Sequence, residues 1–290
     1  MTEQGPEFVV IGAAGMLGRA WCALLRERGH DVLPLDREEV DITDPASLGA
    51  AVPRMCRAIV NCAAYTDVDG AESDEAGATK LNGEAVGYLA QHARDGGATL
   101  IHYSTDYVFN GQAIEPYPTD TPHDPVNAYG RSKAVGERAL WASGANHLLI
   151  RTSWLYAPWG HNFVRTMLRL TAERDELSVV DDQRGRPTSA EHLAATSLAL
   201  LDAGGRGTFH VTDGGQCTWH GFTAEIAKQA GHTCDVKPCT TEQFVRPAKR
   251  PAYSVLDLRR TESLVGPMPD WREQLGRVLK TLREMESVSR

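Results

Sequence analysis

A glycine-rich loop directly after the first apolar run constrains the fold of this chain more than any other feature. The run 8–11 predicts a short buried strand, and 16–28 has apolar residues at helical spacing. Gly12, Gly15 and Gly18 lie between or at the start of these elements. Glycines there allow a tight turn and let a pyrophosphate approach the N-terminus of the helix. The N-terminal segment therefore predicts a dinucleotide-binding strand, loop and helix.

The same alternation of strand and helix continues through the first half of the chain. Further strands are predicted at 32–35, 58–61, 100–104 and 147–151, and helices from Asp44, at 72–93 and at 127–141. Strands that alternate with helices form parallel sheets with right-handed crossovers. We therefore expect the α/β fold class, with a Rossmann-type doubly wound parallel sheet and a smaller α/β substrate-binding domain.

The second half of the chain is less regular and predicts a second domain. Helices are expected at 162–173, 189–201 and 271–284, and a strand at 208–212 is expected to return to the first sheet. We assign residues 1–151 to the dinucleotide-binding domain, with a return segment near 189–213. Residues 152–290 are assigned mainly to substrate binding. The stretch 111–125 contains four prolines and predicts a loop between strand and helix.

Composition narrows the class of function. The net charge of −8 argues against a nucleic-acid partner, for which a basic patch is expected. No apolar run is long enough for a membrane span, and the first residues do not resemble a signal peptide. The six cysteines form no Cys-x-x-Cys pair, and no histidine has metal-site spacing. We therefore expect a cytoplasmic protein with reduced thiols, no membrane or nucleic-acid partner and no metal.

Tyr129 and Lys133 point to the chemistry. A helix places residues four apart on one face, so the phenol lies beside the ammonium. A nearby positive charge favours the phenolate, and we expect it to lower the tyrosine pKa by about three units, or roughly 4 kcal/mol. Such a phenol can exchange a proton with a carbonyl or alcohol near neutral pH. Hydride transfer needs such a proton partner.

Polar residues follow the predicted strands at the edge of the sheet where ligands gather. Asp36 ends the second strand, where an acid can bond an adenosine ribose, but Arg37 could instead face a 2′-phosphate. NADPH and NADH therefore both remain open as cofactors. Thr105 and Asp106 follow the fourth strand, and Thr105 could bond the same carbonyl oxygen that Tyr129 protonates. Trp154 follows the fifth strand.

Longer segments resemble one family. The segments are 102–109, 125–133, Gly136-Glu137, 151–156, 162–164, Asp182-Gln183, Gly185, Pro187-Thr188, Arg250-Pro251 and Ser254. Together they resemble the dTDP-4-dehydrorhamnose reductases of the extended short-chain dehydrogenase/reductase superfamily, over nearly the whole chain. The resemblance implies NADPH- or NADH-dependent reduction of the 4-keto group of dTDP-4-dehydro-β-L-rhamnose to dTDP-L-rhamnose.

The resemblance also implies roles for individual residues. Catalysis is expected from Tyr129, Lys133 and Thr105, and substrate binding from Thr105, Asp106, Tyr129 and Trp154. Asn82 matches an asparagine that organises the site. The residues expected to bind the cofactor are Gly12, Gly15, Met16, Leu17, Asp36, Asp41, Ile42, Ala64, Tyr65, Thr66, Tyr129 and Lys133.

Other functions remain open beside this one. The chain could be a 4-ketoreductase for another nucleotide-linked deoxysugar, an epimerase, or a non-catalytic NADP-binding regulatory subunit like that of methionine adenosyltransferase. Dehydratases of the superfamily have Glu where this chain has Tyr107, which disfavours dehydration. The expected partner is a dTDP-linked 4-keto-6-deoxyhexose, and the chain is expected to be a monomer or homodimer. Ala20 replaces an acid of some relatives, so their metal contacts at a dimer interface are not expected here.

Overall fold

A computed structural model describes residues 5–288 of the chain, and its centre is a parallel sheet. The strands are β1 (Phe8–Ile11), β2 (Val32–Leu35), β3 (Ala58–Asn61), β4 (Thr99–Thr105), β5 (His147–Thr152), β6 (Leu155–Tyr156), β7 (Glu176–Val180), β8 (Arg184–Gly185), β9 (Thr188–Ser189), β10 (Gly207–His210), β11 (Cys217–Thr218) and β12 (Asp235–Cys239). The helices are α1 (Met16–Glu27), α2 (Pro45–Ala51), α3 (Glu75–Thr79), α4 (Ala85–Gly96), α5 (Ala128–Ala142), α6 (Phe163–Glu173), α7 (Ala190–Asp202), α8 (Trp219–Ala230), α9 (Arg259–Val265) and α10 (Trp271–Val288).

Six strands form the central sheet in the order β10-β5-β4-β3-β1-β2, and all neighbours are parallel. The order reverses between β1 and β3, because β2 lies on one side of β1 and the later strands lie on the other. Such a reversal opens a crevice at the carboxyl ends of the strands. The predicted fold class is therefore confirmed, and β1 to β5 lie within one or two residues of their predicted positions.

Alternating side chains of the strands fill two hydrophobic layers, one on each face of the sheet. On one face, Phe8 and Val10 of β1 pack with residues of α1 and α7, including Trp21 and Leu193. On the other face, Val9 and Ile11 pack with residues of α2, α4 and α5. Helices thus cover both faces, as a buried parallel sheet requires.

A smaller α/β unit lies beyond the central sheet. In it, β7 and β12 pair in parallel, and α6, α8 and α10 surround a separate core that contains Phe222 and Trp271. The chain leaves this region through α7 and returns to the central sheet as β10, which pairs with β5. The division of the chain at residue 151 remains a prediction.

The prediction of one helix over 72–93 is wrong. The structure has a 3-10 turn at Gly70–Glu72, then α3, a π-helical segment at Lys80–Glu84, and α4. Asp74 begins α3 by accepting a hydrogen bond from the backbone of Gly77, which separates that helix from the preceding turn. The π-helical segment contains Asn82, and π segments are frequent at functional sites.

The π-helical segment packs very closely on α5, and this contact yields a stability prediction. A Cβ added at Gly136 would lie 2.1 Å from the carbonyl oxygen of Asn82, so Gly136→Ala must push α5 away. We expect a loss of about 1–3 kcal/mol in the free energy of unfolding, typical of overpacking, measured by urea titration.

Gly87→Ala is the matched control for this change. Its added Cβ would lie 3.6 Å from the Cβ of Ala139, an ordinary contact between α4 and α5. Because alanine favours a helix over glycine, the control should be neutral or more stable by up to about 1 kcal/mol. Equal unfolding midpoints for the two variants would contradict the close packing of α5.

Candidate active site

A cleft of about 960 Å³ lies at the carboxyl ends of the central strands. It brings together residues that are distant in sequence and that the sequence predicted to bind cofactor or substrate. Those that line it are Gly12, Gly15, Met16, Leu17, Asp36, Asp41, Ile42, Ala64, Thr66, Thr105, Asp106, Tyr129, Lys133 and Trp154. The cleft is thus the place where the predicted chemistry would have to occur.

Tyr65 is the one predicted cofactor residue that does not line the cleft. Its side chain packs beside Tyr129 against a small cluster of buried alanines, Ala71 among them. Asn82 holds the backbone of Tyr65 from both sides, because its side chain accepts from the Tyr65 N–H at 2.9 Å and donates to the Tyr65 carbonyl at 3.0 Å. The Asn82 amide also donates to the Ser132 hydroxyl of α5 at 3.0 Å.

The glycine loop forms a close backbone cradle at the start of α1. Gly12 has a φ of 75°, and a Cβ there would lie 2.8 Å from the backbone nitrogen of Ala63. A Cβ at Gly18 would lie 2.1 Å from the carbonyl oxygen of Gly12. Only glycine fits either position, and the cradle opens at a helix N-terminus, where a pyrophosphate is favoured. The loop therefore fits the phosphates of a dinucleotide.

Asp36 is placed by the glycine loop itself. Its carboxylate accepts the backbone N–H of Ala14 at 2.9 Å, which ties the end of β2 to the loop. Arg37 lines the same end of the cleft. Asp41 also lines the cleft, and hydrogen bonds from the hydroxyl and backbone of Thr43 lower its pKa. Asp36 can therefore bind a ribose hydroxyl here, and Arg37 can bind a 2′-phosphate.

Two side chains fix the N-terminus of α5 and hence Tyr129. Asn127 accepts the backbone N–H of Gly130 at 2.7 Å, and Glu72 accepts that of Ala128 at 2.8 Å. One turn further on, Lys133 is buried, and its Nζ donates to the carbonyl oxygen of Tyr103 in β4 at 2.6 Å. Helix α5 is thus attached to the sheet by a buried ammonium.

The expectation that Lys133 lowers the Tyr129 pKa is wrong for this structure. Burial raises the Tyr129 pKa above its usual value, and the nearby Asp106 carboxylate raises it further. Lys133 instead directs its ammonium to the Tyr103 carbonyl, and burial lowers the Lys133 pKa to about 8. A phenol with a raised pKa stays protonated at neutral pH, the form that can donate a proton, but it is a weaker acid than a free phenol.

Thr105 lines the cleft together with Asp106 and Tyr129 and is held by two hydrogen bonds. Its hydroxyl donates to Asp106 Oδ1 at 2.9 Å and accepts the backbone N–H of Tyr107 at 3.1 Å. Burial and Asp106 raise the Tyr129 pKa, and the nearby Thr105 hydroxyl opposes that rise. Asp106 is buried, and burial raises its pKa to about 6. The proton on this carboxylate therefore influences which way Thr105 donates.

Trp154 has a strained backbone at the wall of the cleft. Its φ of 48° is the only positive value at a non-glycine position among residues 5–288. The Trp154 ring stacks on the Trp219 ring with centroids 3.5 Å apart. A Cβ added at Gly185 would lie 2.7 Å from the Trp154 ring. Strain of this kind persists only where the surroundings enforce it, and it is concentrated at functional sites.

The sequence reasoning missed a second cavity beside the first. Its volume is about 840 Å³, and Tyr107 and Trp219 line both cavities. Four cations line only the second cavity: Arg174, Arg246, Lys249 and Arg250. Three of them cluster within 246–250, a signal that was visible in the sequence. Their shared cavity, however, depends on how the second half of the chain folds.

No group of His, Cys, Asp or Glu side chains within residues 5–288 could hold a metal ion. In the same range, no helix is both long and apolar enough to cross a membrane.

Comparison with known proteins identifies relatives of this chain. A family model described as RmlD substrate binding domain matches residues 7–284. A dTDP-4-dehydrorhamnose reductase from Burkholderia thailandensis is 40% identical over 95% of this chain and 99% of its own length. A probable dTDP-4,6-dihydroxy-2-methyloxan-3-one 4-ketoreductase from Streptomyces antibioticus is 42% identical over 92% of each chain. The crystal structure of a dTDP-4-dehydrorhamnose reductase from Bacillus anthracis in complex with NADP superposes with a TM-score of 0.90, at 36% identity, covering 95% of this chain and 99% of its own.

The buried carboxyl of Asp106 predicts a pH-dependent stability. Its pKa rises from 3.8 to about 6 on folding, so its contribution is present below pH 4 and is lost as the pH rises through 6. At 1.36 kcal/mol per pKa unit, the loss is about 3 kcal/mol. The Asp106→Asn variant has no carboxyl to titrate at this position. The difference in free energy of unfolding, variant minus parent, should therefore rise by about 3 kcal/mol between pH 4 and 7.

Urea unfolding at both pH values measures this difference. Asp120→Asn, at an exposed position, is the control for removing a carboxylate. A difference between Asp106→Asn and the parent that stays constant from pH 4 to 7 would show that Asp106 ionises freely in the folded protein.

Proposed function

This chain belongs to the RmlD substrate binding domain family, together with the dTDP-4-dehydrorhamnose reductases, and on that premise we propose the following site and reaction. The protein is an NAD(P)H-dependent oxidoreductase that reduces the 4-keto group of dTDP-4-dehydro-β-L-rhamnose to give dTDP-L-rhamnose. One observation carries the proposal: the glycine cradle and the Thr105, Tyr129 and Lys133 side chains face a single cleft.

The two adjoining cavities fit the two ligands of this reaction. The glycine cradle and Tyr129 both line the first, so one dinucleotide can contact both. The second is lined by cations that suit a diphosphate and by apolar side chains that suit a nucleobase, such as Phe163 and Leu170. Tyr107 and Trp219 lie where the cavities meet, and the sugar is proposed to bind there.

The residues of the cleft are proposed to act on the sugar ketone as follows. Tyr129, kept protonated by its buried position, donates its phenolic proton to the ketone oxygen. Thr105 orients that oxygen, and it can donate to it when Asp106 carries a proton. The nicotinamide cofactor, when bound, supplies the hydride for the carbonyl carbon. One hydride and one proton convert the ketone to an alcohol, and solvent returns the proton to Tyr129.

The cofactor is proposed to lie along the predicted contacts. The phosphates meet Gly12, Gly15, Met16 and Leu17, and the adenosine lies near Asp36, Asp41 and Ile42. Ala64, Thr66 and the backbone of Tyr65 lie along its middle, and Lys133 binds the nicotinamide ribose. The Bacillus anthracis relative is in complex with NADP, and Arg37 at the cleft supports the same cofactor here. NADH stays open, because Asp36 lies at the same end.

A second candidate function is reduction of a different dTDP-linked 4-keto-6-deoxyhexose. The Streptomyces antibioticus relative has a different substrate in its name and is as similar to this chain as the rhamnose-type relatives. The same Tyr129 chemistry would serve both, and only the sugar contacts would differ. The two candidates are therefore distinguished by the substrate.

The cellular location and the oligomeric state of the enzyme are also proposed. A cytoplasmic location is supported by the six cysteines, all of which are free in the structure, since thiols stay reduced in that compartment. A monomer or a homodimer is proposed as the working form.

A substrate panel tests the function. Purified protein is mixed with NADPH or NADH and with several dTDP-linked 4-keto-6-deoxyhexoses, and the loss of reduced nicotinamide is followed. Preferred turnover of dTDP-4-dehydro-β-L-rhamnose, with dTDP-L-rhamnose identified by NMR, supports the first candidate. Preferred turnover of another ketosugar supports the second. Binding of cofactor without any turnover would reject both and favour a regulatory role.

Tyr129→Phe tests the proton donor. Loss of the hydroxyl should lower kcat by at least about 100-fold, the lower range for general acid catalysis, with cofactor affinity retained. Tyr88→Phe, at a more exposed tyrosine on α4, is the control and should keep the parental kcat. A Tyr129→Phe enzyme with the parental kcat would remove Tyr129 from the reaction.

Trp154→Ala tests the sugar site. The ring stacks on Trp219 at the junction of the two cavities, so its loss should raise KM for the nucleotide sugar more than KM for the cofactor. Steady-state kinetics with each substrate varied in turn measures both constants. A larger rise in the cofactor KM would place Trp154 outside the sugar site.

A further inference from the structure

A loop after β3 joins three parts of the molecule that the proposed reaction needs. This junction loop comprises residues 66–75, and its residues Thr66 and Val68 line the cleft proposed for the cofactor. Further along, Glu72 accepts the backbone N–H of Ala128 at 2.8 Å, and Glu75 pairs with Arg131 at 2.7 Å. The loop therefore contacts the cofactor cleft at one end and holds the first turn of α5 at the other.

Between these two ends, Asp69 reaches the far side of the site. Residues 246–250, called here the strap, lie along the second cavity. The Asp69 carboxylate accepts the backbone N–H of Ala248 at 3.1 Å and a hydrogen bond from the Arg250 guanidinium. The guanidinium of Arg246 lies 3.7 Å from the other carboxylate oxygen. One side chain thus receives three donors or cations from the strap.

The strap is also attached directly to the catalytic helix. Asn127, which begins α5, donates from its side-chain amide to the carbonyl of Lys249 at 2.8 Å. Burial raises the Tyr107 pKa, and the nearby charge of Arg250 opposes that rise. The Tyr107 ring meets the Tyr129 ring edge-on at 6.0 Å. Movement of the strap would therefore reach the proton donor through one intervening side chain.

The contact between Asp69 and Arg250 is a partly buried, charge-assisted hydrogen bond. The hydrogen bond from Arg250 is the main cause that lowers the Asp69 pKa, so the carboxylate is ionised at neutral pH. The side chains of Asp69 and Arg250 are only 24% and 17% exposed. Partly buried, charge-assisted hydrogen bonds are stronger than exposed ion pairs.

We propose that Asp69 is a positioning residue that couples the binding of the dinucleotide to the binding of the nucleotide sugar. The inference rests on the proposed function, since it concerns the two ligands of that reaction. A cofactor that contacts Thr66 and Val68 fixes the junction loop, and the loop then holds the strap and its cations in place through Asp69. Because the loop is already ordered, the second ligand binds with a smaller loss of conformational entropy. Coupling between binding sites is reciprocal, so binding of the sugar nucleotide also raises the affinity for the cofactor.

An opposite role for Asp69 makes a distinct prediction. If its carboxylate only neutralised Arg246 and Arg250, it would compete with the diphosphate for those cations. Removing it would then tighten nucleotide binding, and the affinity would not depend on the cofactor. The positioning role instead predicts weaker binding and a loss of coupling when Asp69 is removed.

Calorimetric titration of the full chain with dTDP, with and without saturating NADP⁺, separates these roles. The parent should bind dTDP at least about 5-fold more tightly with NADP⁺ present, the lower end of typical coupling between sites. Asp69→Ala should reduce this ratio to below about 2-fold, while dTDP and NADP⁺ each still bind. Asp69→Asn, which keeps the side-chain volume, should give an intermediate ratio.

Asp67→Asn is the matched control in the same loop. Asp67 accepts the backbone N–H of Gly70 at 2.9 Å, so the change removes an equal charge and keeps a local acceptor. The control should retain the parental ratio. Parental coupling in Asp69→Ala, tighter dTDP binding in that variant, or no coupling in the parent would each overturn the proposal. A parent that binds neither ligand would overturn the proposed function as well, whereas binding of both without coupling would overturn only the role of Asp69.

Discussion

The hydrogen bond from the buried ammonium of Lys133 to the carbonyl oxygen of Tyr103 determines where the chemistry can occur. A buried ammonium needs a good partner, and this one lies near the carboxyl end of β4, beside the cleft. Since Lys133 lies one turn after Tyr129, the bond fixes both the depth and the rotation of α5. Tyr129 then has to face the strand end that presents Thr105 and Asp106. The position of Tyr129, the proposed proton donor, thus follows from the packing of one helix on one strand.

A second buried charge supports the same helix. Glu137, one turn after Lys133, accepts hydrogen bonds from Arg151 of β5 and from His123 in the preceding loop. Burial alone would raise the Glu137 pKa, but these hydrogen bonds outweigh it and lower the pKa to about 2. Removing one member of such a buried pair leaves an uncompensated charge and is costly. The helix is therefore held at its N-terminus by Asn127 and Glu72. Along its length it is held by its own buried charges, Lys133 and Glu137, which bond to β4 and β5.

Patterns that are local in sequence predicted much of this molecule. The glycine loop and the alternating strands predicted the parallel sheet, because turn geometry and strand periodicity follow from nearby residues. They failed at residues 72–93, where the close approach of Gly136 to Asn82 accompanies a π-helical segment that no periodicity signals. The Tyr129 pKa was also mispredicted, because spacing on a helix does not show that Tyr129 is buried, that Asp106 lies nearby or that Lys133 points to a carbonyl. Contacts such as those of Asp69 with the strap join residues about 180 positions apart and could not be read from the sequence.

The account rests on a neutral Tyr129 phenol that meets the sugar ketone beside the nicotinamide. A crystal structure with NADP⁺ and dTDP-L-rhamnose tests this directly. We predict that the sugar O4 lies within hydrogen-bonding distance of Tyr129 Oη, about 2.6–3.2 Å, with the nicotinamide ring facing C4 of the same sugar. A nicotinamide ring that points away from the phenol, or a sugar bound outside the junction of the two cavities, would contradict the account.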